Sequence, residues 1–298
     1  MQTSRRNLLR NSLGLAAAST ATLQTAQAAP KGKRGVKNGR IRQSVVSWCF
    51  GKHWSLDKTC QIAKDLGCES VELVHPKDFP ILKKHGLTCA ITTIDMGGPP
   101  FIEGWNNPKH HDKLWGVTKK AIDAASKFGS PNVICFTGYA DGISPKDGIK
   151  NCVQGLKGMA GYAEKKGVSL SLEMLNTRDD SDPNKGHPGY QGDHVDYCME
   201  IIDGVGSCHL NLLFDIYHVQ IMDGDVIRRI HECGSAIGHI HTAGNPGRGE
   251  LDDDQEINYP PIMKALLDIN YKGFVGQEFI PTRDPLEGLT QAVELCDV

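Results

Sequence analysis

Beyond its amino terminus the chain lacks a membrane-length apolar run, a C-x-x-C pair, a dense cysteine framework, a low-complexity tract and a charge block. Each absence removes a class of protein. Lys and Arg number 33 against 35 Asp and Glu, so there is no basic excess to hold a nucleic-acid polyanion. A hydrophobic fraction of 39% fits a soluble globular protein, and no stretch would remain inserted in a membrane after processing. The ten cysteines (Cys49, Cys60, Cys68, Cys89, Cys135, Cys152, Cys198, Cys208, Cys233 and Cys296) are scattered singly. Most fall within apparent strands or helices, where a reduced cysteine serves as a small buried hydrophobe.

The amino terminus stands apart. Ser4-Arg5-Arg6-Asn7-Leu8-Leu9-Arg10 precedes an Ala-rich, mildly apolar run that ends at Ala26-Gln27-Ala28. Twin arginines, a soft apolar segment and an A-x-A site read as a twin-arginine export signal, with a disordered basic tail as the alternative. The expected organisation is a signal over residues 1–28, a flexible basic leader over 29–40 and one folded domain over 41–298. The mature protein would then be periplasmic, or cytoplasmic if the signal is not functional.

From residue 41 onward, strand-like and helix-like stretches alternate. The apolar segments 44–50, 70–74, 87–94 and 132–137 read as strands. Four more end near Glu173, Asp215, His241 and Glu278. Helical spacing covers 55–66, 108–128, 144–166, 194–202, 219–233, 259–269 and 285–295, with a short helix before Gly86. Loops rich in Gly fill 95–107 and 243–256. Eight βα units predict an α/β fold, a closed (β/α)8 TIM barrel, for which about 250 residues suffice.

Four of those strands stop on a metal-type ligand. A carboxylate after a buried strand can simply cap the next helix, and Asp215 alone would allow that reading. The recurrence at Glu173, His241 and Glu278 points to one site, because barrel strands deliver their ends to a common mouth. Three carboxylates packed together raise one another's pKa, and a divalent cation removes the conflict. Oxygen ligands with one imidazole suit Mn²⁺ or Mg²⁺, with Co²⁺ as a further option and zinc less favoured without thiolates. Glu173 and Glu278, three strands apart, would face each other across a small ligand and transfer protons. His218 and Arg248 are candidates for contacts to substrate oxygens, and Glu72 is a further pocket candidate. Trp48 and Trp105 are either pocket walls or core.

The segments Ser-Leu-Glu173-Met-Leu-Asn176, Phe-Asp215-Ile-Tyr-His218, Gly-His-Ile-His241, Asn245-Pro-Gly-Arg248-Gly-Glu250, Glu256-Ile-Asn-Tyr259 and Gly-Gln-Glu278-Phe resemble the hydroxypyruvate isomerase family. That family lies in the xylose-isomerase-like TIM-barrel superfamily, with ketose 3-epimerases as near relatives. The likeness spans residues 43–298. It implies metal ligation by Glu173, Asp215, His241 and Glu278, an acid/base pair of Glu173 and Glu278, and His218 and Arg248 near substrate. The implied reaction interconverts hydroxypyruvate and 2-hydroxy-3-oxopropanoate, an aldose–ketose type isomerisation through an enediolate. His241 is a feature shared with the epimerase relatives, and the loop 249–256 is acidic. A ketose 3-epimerase, a related sugar lyase and a non-catalytic sugar-binding barrel are therefore the alternatives. The expected partner is a small sugar or hydroxy-keto acid, and a homo-oligomer is compatible with the sequence.

Overall fold

Short β-rich segments separated by helices leave parallel pairing as the way to satisfy every strand's backbone groups. The computed structural model describes residues 35–298 and shows that outcome. Its strands are β1 (Arg42–Val46), β2 (Ser70–Glu72), β3 (Ile91–Thr92), β4 (Asn132–Phe136), β5 (Ser169–Glu173), β6 (Leu210–Asp215), β7 (Ile237–Thr242) and β8 (Phe274–Gln277). All pairings are parallel, in the order β2-β1-β8-β7-β6-β5-β4-β3. The remaining gap between β2 and β3 is bridged by Val71 N–H donating to Thr88 O (3.2 Å) and Leu73 N–H to Ile91 O (3.0 Å). This is a (β/α)8 barrel.

The helices are terminated by local chemistry. Ser55, Ser144 and Asp284 accept hydrogen bonds from first-turn amides, and Gly67 and Gly167 close their helices in the left-handed conformation. Among the described residues, no helix is long and apolar enough to cross a membrane. All ten cysteines are free thiols; nine are buried and Cys208 is exposed.

Several boundaries differ from expectation. The first strand, read over 44–50, stops at Val46, and Ser47–Phe50 form a helical turn. The third strand shrinks from 87–94 to Ile91–Thr92, because Leu87 and Cys89 are buried as loop residues without a continuous ladder. The helix expected over 219–233 is two, Ile216–Met222 and Val226–Cys233. Gly224 and Asp225 between them both take positive φ, which no helix tolerates. Residues 35–40, assigned to a flexible leader, are anchored: the amides of Lys37, Asn38 and Gly39 all donate to the Asp297 carboxylate. The anchor is a run of backbone donors around one anion, and it leaves no apolar periodicity to read. The twin-arginine segment lies outside the described residues.

Side-chain alternation decides what the barrel encloses. A period of two places Ser171 with Glu173, Leu213 with Asp215, His239 with His241, and Ser70 with Glu72 on the same face. Cross-strand register then sets Asp215 beside His241, and His241 beside Gly276. The interior therefore grades from apolar and hydroxyl side chains to a charged upper layer at the strands' carboxyl ends.

Candidate active site and metal centre

Glu173, Asp215 and His241 occupy the last turns of β5, β6 and β7, and Glu278 follows β8 directly. One ligand atom from each lies within 4.8 Å of the other three, and all four residues are buried. The helix-cap reading of Asp215 and its ligand reading are both realised. Its Oδ1 accepts from Tyr217 N–H (2.8 Å), while Oδ2 is buried with no hydrogen-bond partner. One oxygen starts the helix and the other is left for the site.

His241 is similarly divided. Its Nε2 lies 2.9 Å from Glu72 Oε1, an acceptor-only group when ionised, so Nε2 carries a proton. Nδ1 faces the cluster, 2.9 Å from Glu278 Oε2 and 3.4 Å from Glu173 Oε1, without a hydrogen bond of good geometry. Acceptors that close need a proton or a cation between them. Charge balance says the same. Burial, then the charge of Glu278, push Asp215 up to about 8, and burial raises Glu173 as well. Against the cost of burial, His241 and Arg248 hold Glu278 well below the usual carboxylate range. Burial disfavours the His241 imidazolium, yet Glu278 and Glu173 raise its pKa well above the ordinary value. Three carboxylates and one imidazole, with Asp215 Oδ2 and His241 Nδ1 orphaned among them, fit a divalent cation.

Glu72 is displaced from its expected role beside the substrate. It is fully enclosed within the barrel and receives both His241 and, at 2.8 Å, His239 on the same Oε1. Despite burial, the two imidazoles hold Glu72 down at about 2. A Cβ at Gly276 would come within 2.2 Å of Glu72 Oε1, so glycine there makes the room. A carboxylate that binds the far nitrogen of a ligating histidine fixes its tautomer and ring orientation. His239 was not foreseen as its second partner, although Gly-His-Ile-His places both rings on one face.

Above the cluster opens a cavity of about 530 Å³, reached by Glu173, Glu278 and Arg248. Arg248 donates to Glu278 Oε2 (2.6 Å) and to Asn184 O (2.7 Å), and lies 3.5 Å from Asp215 Oδ2. Its backbone sits at φ +57°, a strained conformation held by these contacts. Trp48 is a wall residue, 39% exposed, with Nε1 donating to Glu278 Oε1 (3.2 Å). Trp105, by contrast, is buried in the core. His218 is also buried, behind Asp215: its Nδ1 accepts from Asn176 N–H (3.1 Å). Its Nε2–H therefore points to the Asp215 side, 3.5 Å from Oδ2, and is otherwise unpaired.

With this geometry in place, comparison with known proteins is decisive. The family described as xylose isomerase-like TIM barrel matches residues 60–297. Hydroxypyruvate isomerase of Escherichia coli is 31% identical over 82% of this chain and 95% of its own length. The chain belongs to the xylose isomerase-like TIM-barrel family. Its relatives include proteins named hydroxypyruvate isomerase and 2-oxo-tetronate isomerase. The 2-oxo-tetronate isomerase of Cupriavidus necator is 28% identical over 82% of this chain and 94% of that protein. Among solved structures, an AP endonuclease of family 2 from Brucella melitensis superposes with a TM-score of 0.72. It is 24% identical over 84% of this chain and 96% of that one, and shows the shared fold.

Sequence reading missed one more group of residues at the site. Phe101, His187 and Asn184 line the cavity from the loops after β3 and β5. No strand end announces them, and their signal is only that both loops are long.

Proposed function

We propose that the protein is a metal-dependent isomerase of small α-hydroxycarbonyl compounds, acting by proton transfer through an enediolate. The names of its relatives make hydroxypyruvate and 2-hydroxy-3-oxopropanoate the first pair to consider. The observation that carries the reading is that Glu173 and Glu278, from strands three apart, line one cavity while sharing a ligand cluster with Asp215 and His241. Those four residues would hold a divalent cation, Mn²⁺ or Mg²⁺ with Co²⁺ as a further option, which would supply positive charge to substrate oxygens.

The chain's own groups supply the rest. Each glutamate offers the cluster one oxygen and retains lone pairs for the substrate. One glutamate takes a proton from the hydroxyl-bearing carbon, and the electron pair forms the enediolate. A proton is then returned to the neighbouring carbon while the hydroxyl proton passes to the oxygen of the former carbonyl, exchanging carbonyl and hydroxyl. Arg248 and Trp48 orient Glu278 through its two oxygens. His218, buried behind Asp215 rather than lining the cavity, directs its Nε2–H toward Asp215 Oδ2. Trp48, Phe101 and Phe136 limit water at the reacting carbons.

A second reading, a ketose 3-epimerase, is favoured by the cavity volume. The same pair would remove a proton on one face of a carbon and deliver one on the other. Both readings are tested by following solvent deuterium into hydroxypyruvate and ketohexoses with Mn²⁺-loaded protein. Metal-dependent exchange should fall at least about 100-fold in Glu173→Gln and in Glu278→Gln. No exchange into any of these compounds, with metal bound, would overturn both readings.

A further inference from the structure

The cavity is poorly matched to a three-carbon oxo acid. Such a molecule has about seven heavy atoms, and even at the ~30 Å³ that a whole water takes in the liquid they would fill roughly 210 Å³. The available volume is about 530 Å³. Charge is mismatched as well. Among the lining residues Arg248 is the only Lys or Arg, and its guanidinium already faces Glu278 at 2.6 Å and Asp215 at 3.5 Å. Apart from the cation proposed for the cluster, no second basic side chain among the lining residues waits for a carboxylate. The lining also includes Leu73, Pro99, Pro100 and Phe101, and one polar ring packs against Phe101: His187.

His187 is held in place by its backbone. Its N–H donates to Asn176 O (2.8 Å), and its carbonyl accepts from Tyr190 N–H (2.9 Å). The ring centroid lies 4.2 Å from that of Phe101, and the residue is only 4% exposed. Yet among the described residues neither ring nitrogen has a hydrogen-bond partner, although the residue lines the cavity. Neither nitrogen is among the sealed, unsatisfied polar atoms, so the ring turns its polar edge to the open cavity, where water or a ligand hydroxyl can pair it. Burial, reinforced by the charge of Arg248, pushes the imidazole down to about 4 and keeps it neutral. A neutral imidazole offers one donor and one acceptor, the complement of a hydroxyl.

We infer that His187 determines specificity by hydrogen-bonding a hydroxyl at the far end of the substrate, so that the site selects uncharged polyhydroxylated carbonyl compounds longer than three carbons. This rests on the isomerase reading only for the location of the reacting end. A hydroxyl matched to a buried partner discriminates strongly, because the analogue that lacks it leaves the imidazole unpaired.

The test combines binding and turnover on the Mn²⁺-loaded full-length mature chain, using the D-ketohexoses, dihydroxyacetone and hydroxypyruvate. Calorimetric titration should show a ketohexose binding at least tenfold more tightly than either three-carbon compound. In His187→Phe, which keeps the ring packed on Phe101, the ratio of ketohexose to dihydroxyacetone affinity should fall about 10- to 100-fold. His187→Gln should restore part of it, and thermal melts of both variants report folding. A ratio that moves less than threefold, or a wild type that binds hydroxypyruvate best, overturns the inference. The expected affinities without deuterium exchange would defeat the isomerase reading and leave this one standing. Exchange into hydroxypyruvate that is indifferent to His187 would do the reverse.

Discussion

The two halves of the barrel solve different problems. Strands β5 to β8 run four to six residues and each ends on or beside a member of the ligand cluster. In the other half β2 and β3 shrink to three and two residues, and what they contribute at the cavity carries no charge: Leu73, Thr93 and the Pro99–Phe101 loop. Ligands must hold their positions to within a fraction of an ångström, and a continuous hydrogen-bonded ladder does that. A wall for substrate tolerates loop geometry, so its residues lie where the ladder has run out. The exception is Glu72. It belongs to the short-strand half, yet it reaches across the interior to set His241.

That contrast can be broken or sharpened by substitution. The largest effect is expected from Asp215→Ala in the second half: kcat/KM should fall more than about 10³-fold, with Mn²⁺ affinity measured by titration falling too. Phe101→Ala in the first half should instead raise KM several-fold with kcat nearly unchanged, as for a group that binds ground and transition states alike. Equal losses of kcat in both would erase the distinction between the halves.

The intermediate case is Glu72→Met, similar in volume but without an acceptor. Mn²⁺ affinity should fall about 10- to 100-fold, as for other carboxylates behind a ligating histidine. Glu72→Gln, whose amide oxygen still accepts from His241, should recover most of the loss. If Met and Gln behave alike, the tautomer argument fails.

The smallest effect lies far from the mouth. Asp297→Ala frees the amides of residues 37–39 and should cost about 1–3 kcal/mol, a fall of several degrees in Tm. Activity at low temperature should not change. An unaltered Tm would mean that the segment is not held by the carboxylate.

Much of this was legible in the chain. Alternation of strand and helix signals, with eight repeats, suffices for the barrel because parallel strands joined by helices have few other closed arrangements. The converging cluster was legible because each member sits where an apolar run stops, and a period of two keeps Glu173, Asp215 and His241 on the interior face. Boundaries were less so: the break at Gly224-Asp225 interrupts a helical pattern that continues on both sides.

What the sequence by itself determined is thus the fold class and the identity of the four converging side chains, since both follow from local periodicity repeated along the chain. Only the tertiary structure decided which oxygen of Asp215 caps a helix and which stays free, that Glu72 lies behind His241 rather than beside the substrate, and that His187 faces the cavity unpaired. Those outcomes depend on register between strands and on where long loops fold back, contacts between residues far apart in sequence that no local pattern encodes.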